Sequence, residues 1–268
     1  MSIAYCVTTV PERRRTTLPE TLSSLSNAGF DSPILFVDGD PADAEYGDLG
    51  LPVAFRELEG LRIKAFGNFV LACWELYIRS PQSDYYFIFQ DDVKLGFTLD
   101  WFLEESRQIE SQHQNFYLNF YTTCETWRAV GRNWQPPTIP ELGWGQSAQR
   151  TQGALALCFP NRAMRVLLSS KRMTMNCLDP AIGRQNIDGT VSEAMRDSQF
   201  VELCHMPSLV YHLGDESAIG HGKRPQADPW WGEDWMDKIT SGSGDDASIC
   251  DQLPTSRAVY SPDSPVAL

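Results

Sequence analysis

Two adjacent carboxylates, Asp91 and Asp92, are the residues of this chain whose type and position most directly suggest chemistry. They follow an apolar run at residues 85–89 and the single amide Gln90. A continuous aromatic and branched run is typical of a strand buried on both faces of a parallel sheet, so charged groups fit only at its end. Open α/β sheets bind ligands at that end of their strands. The pair could hold Mg²⁺ or Mn²⁺, which relieves the repulsion between carboxylates, or it could simply begin a solvated loop.

Alternating strands and helices in the first hundred residues predict the sheet that would position this pair. Strand-like apolar runs occur at residues 3–10, 34–37, 53–55 and 85–89. Helical spacing of apolar residues predicts a helix that ends near Gly29 and a second helix after Gly60. Right-handed crossovers would make the sheet mainly parallel and gather its strand ends on one edge. The arginines at 13–15, Asp38 and the carboxylate pair would then share a crevice.

The second half of the chain is less regular. Strands are predicted at 116–121 and 154–159, a helix at 161–170, a helix after Asp188, and one or two short strands within 201–213. Residues 1–240 are expected to form a single domain. Residues 241–268 are rich in Gly, Ser, Asp and Pro, a composition typical of a flexible tail.

Net charge, the lengths of apolar runs and the spacing of cysteines disfavour several classes of protein. The chain has 268 residues and a formal net charge of −13, which disfavours nucleic acid and anionic membranes as partners because both bind Lys/Arg surfaces. No apolar run is long enough to span a membrane and the N-terminus lacks the features of a signal peptide, so a cytoplasmic protein is expected. The seven cysteines are scattered without a Cys-x-x-Cys pair. They indicate neither a disulfide framework nor a zinc site.

Several short segments, in their order along the chain, resemble the glycosyltransferases of the GT-A fold. The similarity lies in Thr8-Thr9-x-Pro11-x-Arg13, Val37-Asp38-Gly39, Arg62-x-Lys64 with Asn68, and Gln90-Asp91-Asp92. Within that fold, the chain is most similar to the N-acetylglucosaminyltransferase IV group in residues 207–214, which include His212, and in Ser217 and His221. The chain departs from the family pattern at Gln90, where a carboxylate is usual, and its first residues do not predict a signal anchor.

The resemblance implies an α/β fold of the GT-A, Rossmann-like type. It has a mainly parallel central sheet flanked by helices, with a smaller mixed sheet on the acceptor side. Residues 1–100 would bind the nucleotide sugar, and residues 101–240 would bind the acceptor and supply a lid. The implied reaction is a metal-dependent, inverting transfer from a nucleoside-diphosphate sugar, such as UDP-GlcNAc or UDP-glucose, to a hydroxyl of a glycan or other carrier.

The resemblance also implies roles for particular residues. Asp92, Asp91 and His212 would be ligands of Mn²⁺ or Mg²⁺, and a neutral imidazole suits Mn²⁺ better. Contacts to the nucleotide sugar would come from Thr8, Arg13, Asp38, Arg62, Lys64, Asn68, Asp91 and Lys223. Simpler alternatives stay open: surface solvation for the cations, a hydrogen-bonded core position for His212, and a turn role for Asp38.

An inverting transfer requires a general base, and Asp188 is the first candidate. It lies at the start of a predicted helix, where the helix dipole and free N–H groups favour an ionised carboxylate. The same position is also typical of an ordinary N-cap. Glu193 and Asp179 are weaker candidates for the base.

Aromatic residues suggest where an acceptor would bind. Trp127, Trp134 and Trp144 could stack on a sugar or base, or could merely anchor a long loop. Residues 217–224, with glycines at 220 and 222, could fold over the donor as a lid. Two other functions stay open: glycosylation of a DNA base, as some phage enzymes perform, and a non-catalytic nucleotide- or carbohydrate-binding module.

Overall fold

The computed structural model describes residues 1–43, 45–57, 60–122, 143–147, 153–175, 177, 186–206 and 208–213. The strands in these ranges are β1 (Ile3–Thr9), β2 (Ile34–Asp38), β3 (Val53–Arg56), β4 (Tyr85–Gln90), β5 (Val93–Leu95), β6 (Phe116–Asn119), β7 (Gly143–Gln146), β8 (Ala156–Pro160), β9 (Val201–Met206) and β10 (Val210–His212). The helices are α1 (Leu18–Asn27), α2 (Lys64–Arg79), α3 (Leu99–Gln112), α4 (Asn161–Ser169), α5 (Lys171–Thr174) and α6 (Ile187–Asp197). Short 3₁₀ turns lie at Pro11–Arg13, Pro41–Asp43 and Gly47–Leu49.

One large sheet organises the fold, with its strands in the order β3-β2-β1-β4-β8-β6-β9-β7. β1 pairs in parallel with β2 and β4, and β2 pairs in parallel with β3. β8 runs antiparallel to β4 and β6, and β7 runs antiparallel to β9. The chain moves outward from β1 to β2 and β3, then returns past β1 to β4. The strand order therefore reverses between β1 and β4, the place where open α/β sheets form their ligand crevices.

Strand β4 lies at the centre of the core because both of its faces are apolar. Tyr85, Phe87 and Phe89 are completely buried and pack in the cluster that includes α1 and α3. Tyr86 and Ile88 face the opposite cluster, which includes α2, α4 and α6. Charged side chains have no place on such a strand, so the carboxylates begin only where it ends.

The predicted fold class is confirmed: this is an α/β protein with a large, mainly parallel sheet flanked by helices. The smaller sheet is a two-stranded antiparallel ribbon of β5 and β10. Local sequence patterns did not predict β5, β7, α3 or α5. The apolar stripe of α3, with Phe102 and Ile109 buried and Thr98 capping its first turn, was a readable signal; β5 is too short for periodicity to show it.

No helix in the described ranges has the length and apolarity needed to cross a bilayer. The segment predicted to be a flexible tail, 241–268, and the one predicted to be a lid, 217–224, both lie outside the described residues.

Candidate functional site

The Asp91–Asp92 pair forms the turn between β4 and β5 at the carboxyl edge of the sheet. After this turn, the Val93 backbone N–H donates a hydrogen bond to the Thr21 hydroxyl of α1 at 3.1 Å. β5 then pairs with β10 so that Val93 lies opposite His212. The short ribbon therefore brings an imidazole from the end of the described chain to the carboxylate pair.

The Asp91 carboxylate points back toward β1. The buried hydroxyl of Thr9 donates a hydrogen bond to Asp91 Oδ2 at 2.6 Å. Burial, and then the charge of Asp92, raise the pKa of Asp91 to about 7. Asp91 is thus the inward-facing member of the pair.

The Asp92 carboxylate meets two nitrogen-containing side chains. Its Oδ2 lies 3.0 Å from Nε2 of His212 and 3.7 Å from Nη2 of Arg13. The Leu213 backbone N–H donates to the Asp92 carbonyl oxygen at 2.6 Å, which fixes β10 against the turn. The structure therefore brings together three predicted site residues: Asp92, His212 and Arg13.

The second carboxylate oxygen of Asp92 is an orphaned acceptor. Oδ1 is buried and finds no hydrogen-bond partner among the described residues. A buried polar atom without a partner calls for an explanation, and a bound cation is one. A carboxylate oxygen suits Mg²⁺ or Mn²⁺, and an imidazole nitrogen suits Mn²⁺ better than Mg²⁺, so the types of these two residues are compatible with the predicted metal. No group of three His, Cys, Asp or Glu side chains able to hold a metal occurs in the described ranges, and a cation here would need ligands from its substrate.

Asp188 lies in the first turn of α6 but does not cap it. The cap is Asn186, whose side chain accepts a hydrogen bond from the Gly189 N–H at 3.0 Å. The N-cap interpretation of Asp188 was therefore wrong. Its carboxylate reaches the segment before β8 instead, where Oδ2 accepts from the Gly153 N–H at 2.6 Å and Oδ1 from the Ala154 N–H at 2.8 Å. Such bonds favour the ionised form.

The alternative candidates for the base are placed less favourably. The Glu193 carboxylate pairs with Arg172 at 2.6 Å, on the side of α6 that packs near α5. Asp179 lies outside the described residues.

Three residues predicted to contact the nucleotide, Asp38, Arg62 and Lys64, lie at or near the start of α2, and two of them interact with other protein groups there. Asp38, at the end of β2, is 2% exposed, and its Oδ1 accepts a hydrogen bond from the Ile63 N–H at 2.9 Å. Burial raises the pKa of Asp38. Arg62 pairs with Glu12 at 2.7 Å. Lys64 is exposed and has a left-handed φ of 62°. Asp38 thus supports the turn that leads into α2, and its predicted contact with a nucleotide stays a prediction.

The side chains of Asn68 and Thr8 donate hydrogen bonds to backbone carbonyl groups of the large sheet. The Asn68 side chain is 2% exposed, and its Nδ2 donates to the Phe36 carbonyl at 2.8 Å and the Thr9 carbonyl at 3.5 Å. The Thr8 hydroxyl donates to the Phe89 carbonyl at 3.3 Å. Both side chains tie neighbouring strands together near their carboxyl ends.

Some of the predicted residues belong to parts of the chain that the structure does not describe. Outside the described ranges lie Lys223, Ser217, His221, Trp127 and Trp134. Trp144 is described, and it packs edge-on against Phe120 and His205, with ring centroids 5.5 Å and 5.3 Å away. For Trp144, the anchoring interpretation describes what the ring does.

Sequence reasoning missed the supporting roles of Thr9, Gln90, Tyr121 and Gly153. The sequence indicates Thr9 only as part of a motif, and Gln90 only as a departure from the pattern of the family that it resembles. The Tyr121 ring is buried, lies 6.5 Å from the His212 ring, and covers Gly153. No local pattern could have indicated this contact, because Tyr121 and Gly153 are 32 positions apart in the sequence.

Comparison with known proteins gives only structural matches at low sequence identity. No protein-family model and no curated protein matches the sequence. A mannose-1-phosphate geranyltransferase of Thermus thermophilus is 13% identical, with a TM-score of 0.43 over 76% of this chain and 74% of that chain. TarS of S. aureus is 11% identical, with a TM-score of 0.47 over 80% of this chain and 37% of that chain. The CTP:phosphocholine cytidylyltransferase LicC of Streptococcus pneumoniae is 10% identical, with a TM-score of 0.45 over 80% of this chain and 94% of that chain.

Proposed function

We propose that this protein is a glycosyltransferase that moves a sugar from a nucleoside-diphosphate sugar to an acceptor hydroxyl and requires a divalent cation at Asp92. The observation that supports this proposal is the pairing of Asp92 with His212 at the reversal of strand order, with Asp92 Oδ1 a buried acceptor that no described residue satisfies. Mg²⁺ is commonly held by one or two carboxylates together with substrate phosphates. The imidazole suits Mn²⁺ better than Mg²⁺. We infer a UDP-sugar donor, such as UDP-GlcNAc or UDP-glucose, and a glycan or other carrier as acceptor.

The departing diphosphate accumulates negative charge that the site must stabilise. When bound, the cation would supply positive charge to the leaving group. Arg13 adds to this charge, since its side chain is only 12% exposed and lies 3.7 Å from Asp92. Preorganised positive groups in a site shielded from water are among the largest contributions to catalysis.

Asp188 is the proposed general base. As the acceptor oxygen bonds to the anomeric carbon, the bond from that carbon to the diphosphate oxygen breaks, and the hydroxyl proton passes to Asp188. The sugar is then inverted at that carbon. The N–H groups of Gly153 and Ala154 support this role because hydrogen bonds to a carboxylate favour its ionised form, the form that can accept a proton.

A screen of nucleotide sugars with Mn²⁺ present, read out as nucleoside diphosphate released, tests the proposal. We expect hydrolysis or transfer with one donor, and its loss in Asp92→Ala. Unaltered turnover in that variant would refute the assignment. UDP binding by calorimetry without turnover of any donor would favour a binding module. Release of pyrophosphate from a nucleoside triphosphate and a sugar phosphate would instead show nucleotidyl transfer, the reaction type for which LicC is named.

Glycosylation of a DNA base is a separate outcome. Retention on a DNA column at low salt, lost as salt increases, would favour a nucleic acid acceptor. With a formal net charge of −13, we expect no retention.

A further inference from the structure

A three-residue segment, 153–155, connects the proposed base to the carboxylate pair. On one side, the N–H groups of Gly153 and Ala154 donate to the Asp188 carboxylate at 2.6 and 2.8 Å. On the other side, the segment accepts two hydrogen bonds from Gln90, the last residue of β4. Its backbone N–H donates to the Leu155 carbonyl at 2.8 Å, and its Nε2 donates to the Ala154 carbonyl at 3.0 Å. We name residues 153–155 the bridging segment.

The side chain at position 90 must be a donor for this arrangement to form. A carbonyl oxygen can only accept, so the atom of Gln90 that meets Ala154 is the amide nitrogen. An ionised glutamate has no proton to donate and would place a third carboxylate beside Asp91 and Asp92. The glutamine is therefore explained by the contact it makes, although a carboxylate is usual at this position in the family that the sequence resembles.

The shape of the bridging segment is restricted further by Gly153. Its φ of +98° lies in the left-handed region, which favours glycine. A Cβ built at this position would overlap Cδ1 and Cε1 of the buried Tyr121 ring. The segment is thus held by Asp188 and Gln90 through hydrogen bonds and by Tyr121 through packing.

We propose that Gln90 is a positioning residue that couples Asp188 to Asp91 and Asp92 through the bridging segment. Because Gln90 directly precedes the pair, its two bonds set the distance between β4 and the peptide that Asp188 holds. Misplacing a catalytic group by about 1 Å can cost on the order of 100-fold in rate. The catalytic part of this proposal rests on the proposed function, whereas the mechanical coupling does not.

Gln90→Met keeps the length of the side chain and removes the donor. We expect hydrogen exchange at the amides of Gly153 and Ala154 to become about 10-fold faster or more, since local opening becomes easier. In the transfer assay, kcat should fall roughly 10- to 100-fold, while KM for the donor stays within about twofold. A general loss of structure would not give this separation of kcat from KM. Gln90→Glu should accelerate exchange equally, and provides a second measurement if the methionine variant folds poorly.

The matched control is Gln108→Met, an exposed position on α3, for which exchange at the two amides and turnover should not change. The double variant Gln90→Met with Asp188→Asn should exchange less than the product of the two single effects predicts, because both act on one segment. Unchanged exchange in both Gln90 variants would overturn the coupling. Faster exchange with unchanged kcat would overturn the positioning role alone. If the wild-type protein turns over no donor, the proposed function fails and the exchange result still decides the coupling.

Discussion

Nε2 of His212 lies 3.0 Å from Oδ2 of Asp92, although 120 positions separate the two residues in the sequence. The contact depends on the β5–β10 ribbon, which pairs Val93 with His212 directly after the carboxylate turn. Asp92 therefore has an imidazole on one oxygen, and no described residue satisfies the other. This pairing is the basis of the proposed cation site.

Removing the carboxylate should abolish that site. In Asp92→Ala, we expect Mn²⁺-dependent binding of UDP to disappear in calorimetry, and turnover to fall by about 10²- to 10³-fold, the effect typical of losing one electrostatic stabiliser. Asp100→Ala, at an exposed position in the first turn of α3, should behave as the wild type. Mn²⁺-dependent UDP binding that persists in Asp92→Ala would contradict the assignment.

Replacing the imidazole should change the preference between metals. A glutamine at position 212 keeps a polar group but loses the nitrogen ligand that favours Mn²⁺. We expect His212→Gln to weaken Mn²⁺ binding by roughly 10- to 100-fold and Mg²⁺ binding much less. His113→Gln, at the C-terminal end of α3, is the matched control. Equal losses for the two metals would argue that His212 only supports Asp92.

The proposed base can be tested separately from donor binding. Asp188→Asn should bind UDP and Mn²⁺ normally, while kcat falls by about 10²- to 10⁴-fold. Asp197→Asn, at the other end of α6 and paired with Arg172, should retain turnover. Full activity in Asp188→Asn would move the base to another residue.

Position 153 should accept only glycine. In Gly153→Ala, the left-handed φ costs on the order of 1–2 kcal/mol, and the contact with Tyr121 adds to that cost. Combining it with Tyr121→Leu should relieve the steric part and leave the backbone part, when the free energy of unfolding is measured in urea. A Gly153→Ala variant as stable as the wild type would contradict the conformation described for the bridging segment.

The contribution of Glu202 to the free energy of unfolding should fall as the pH rises from about 4 toward 7. Glu202 is completely buried on β9 and accepts hydrogen bonds from Ser147 and Asn119. Burial raises its pKa to about 7, above the value of roughly 4.3 for an unfolded chain. The folded state therefore holds a proton that the unfolded state has lost in this pH window, so the stabilisation is complete below the window and is lost through it.

Glu202→Gln should flatten this part of the pH profile, as measured by urea unfolding at a series of pH values. Glu104→Gln, on the exposed face of α3, should leave the slope unchanged. Identical slopes in the wild type and Glu202→Gln would show that Glu202 does not hold the proton.

Local pattern predicted most of the first half of the fold. The unbroken apolar run of β4 is typical of a strand buried on both faces, and the strand–helix alternation before it predicted the parallel sheet. The stripe of α3 was present in the sequence and was overlooked. β5 and β7, with three and four residues, carry too few positions for a period of two to be recognised.

Within the candidate site, the amino-acid order was enough to place carboxylates at the end of β4, because an ionised side chain is costly to bury inside a strand whose two faces are apolar. What each carboxylate faces became visible only in the folded chain: Asp91 turns toward Thr9, whereas Asp92 turns toward His212. The same holds for the inward direction of Asp38 and Asn68, and for the segment that Gln90 and Asp188 hold between them. These contacts join residues far apart along the chain, and such pairings depend on strand register and side-chain direction, which no local spacing encodes.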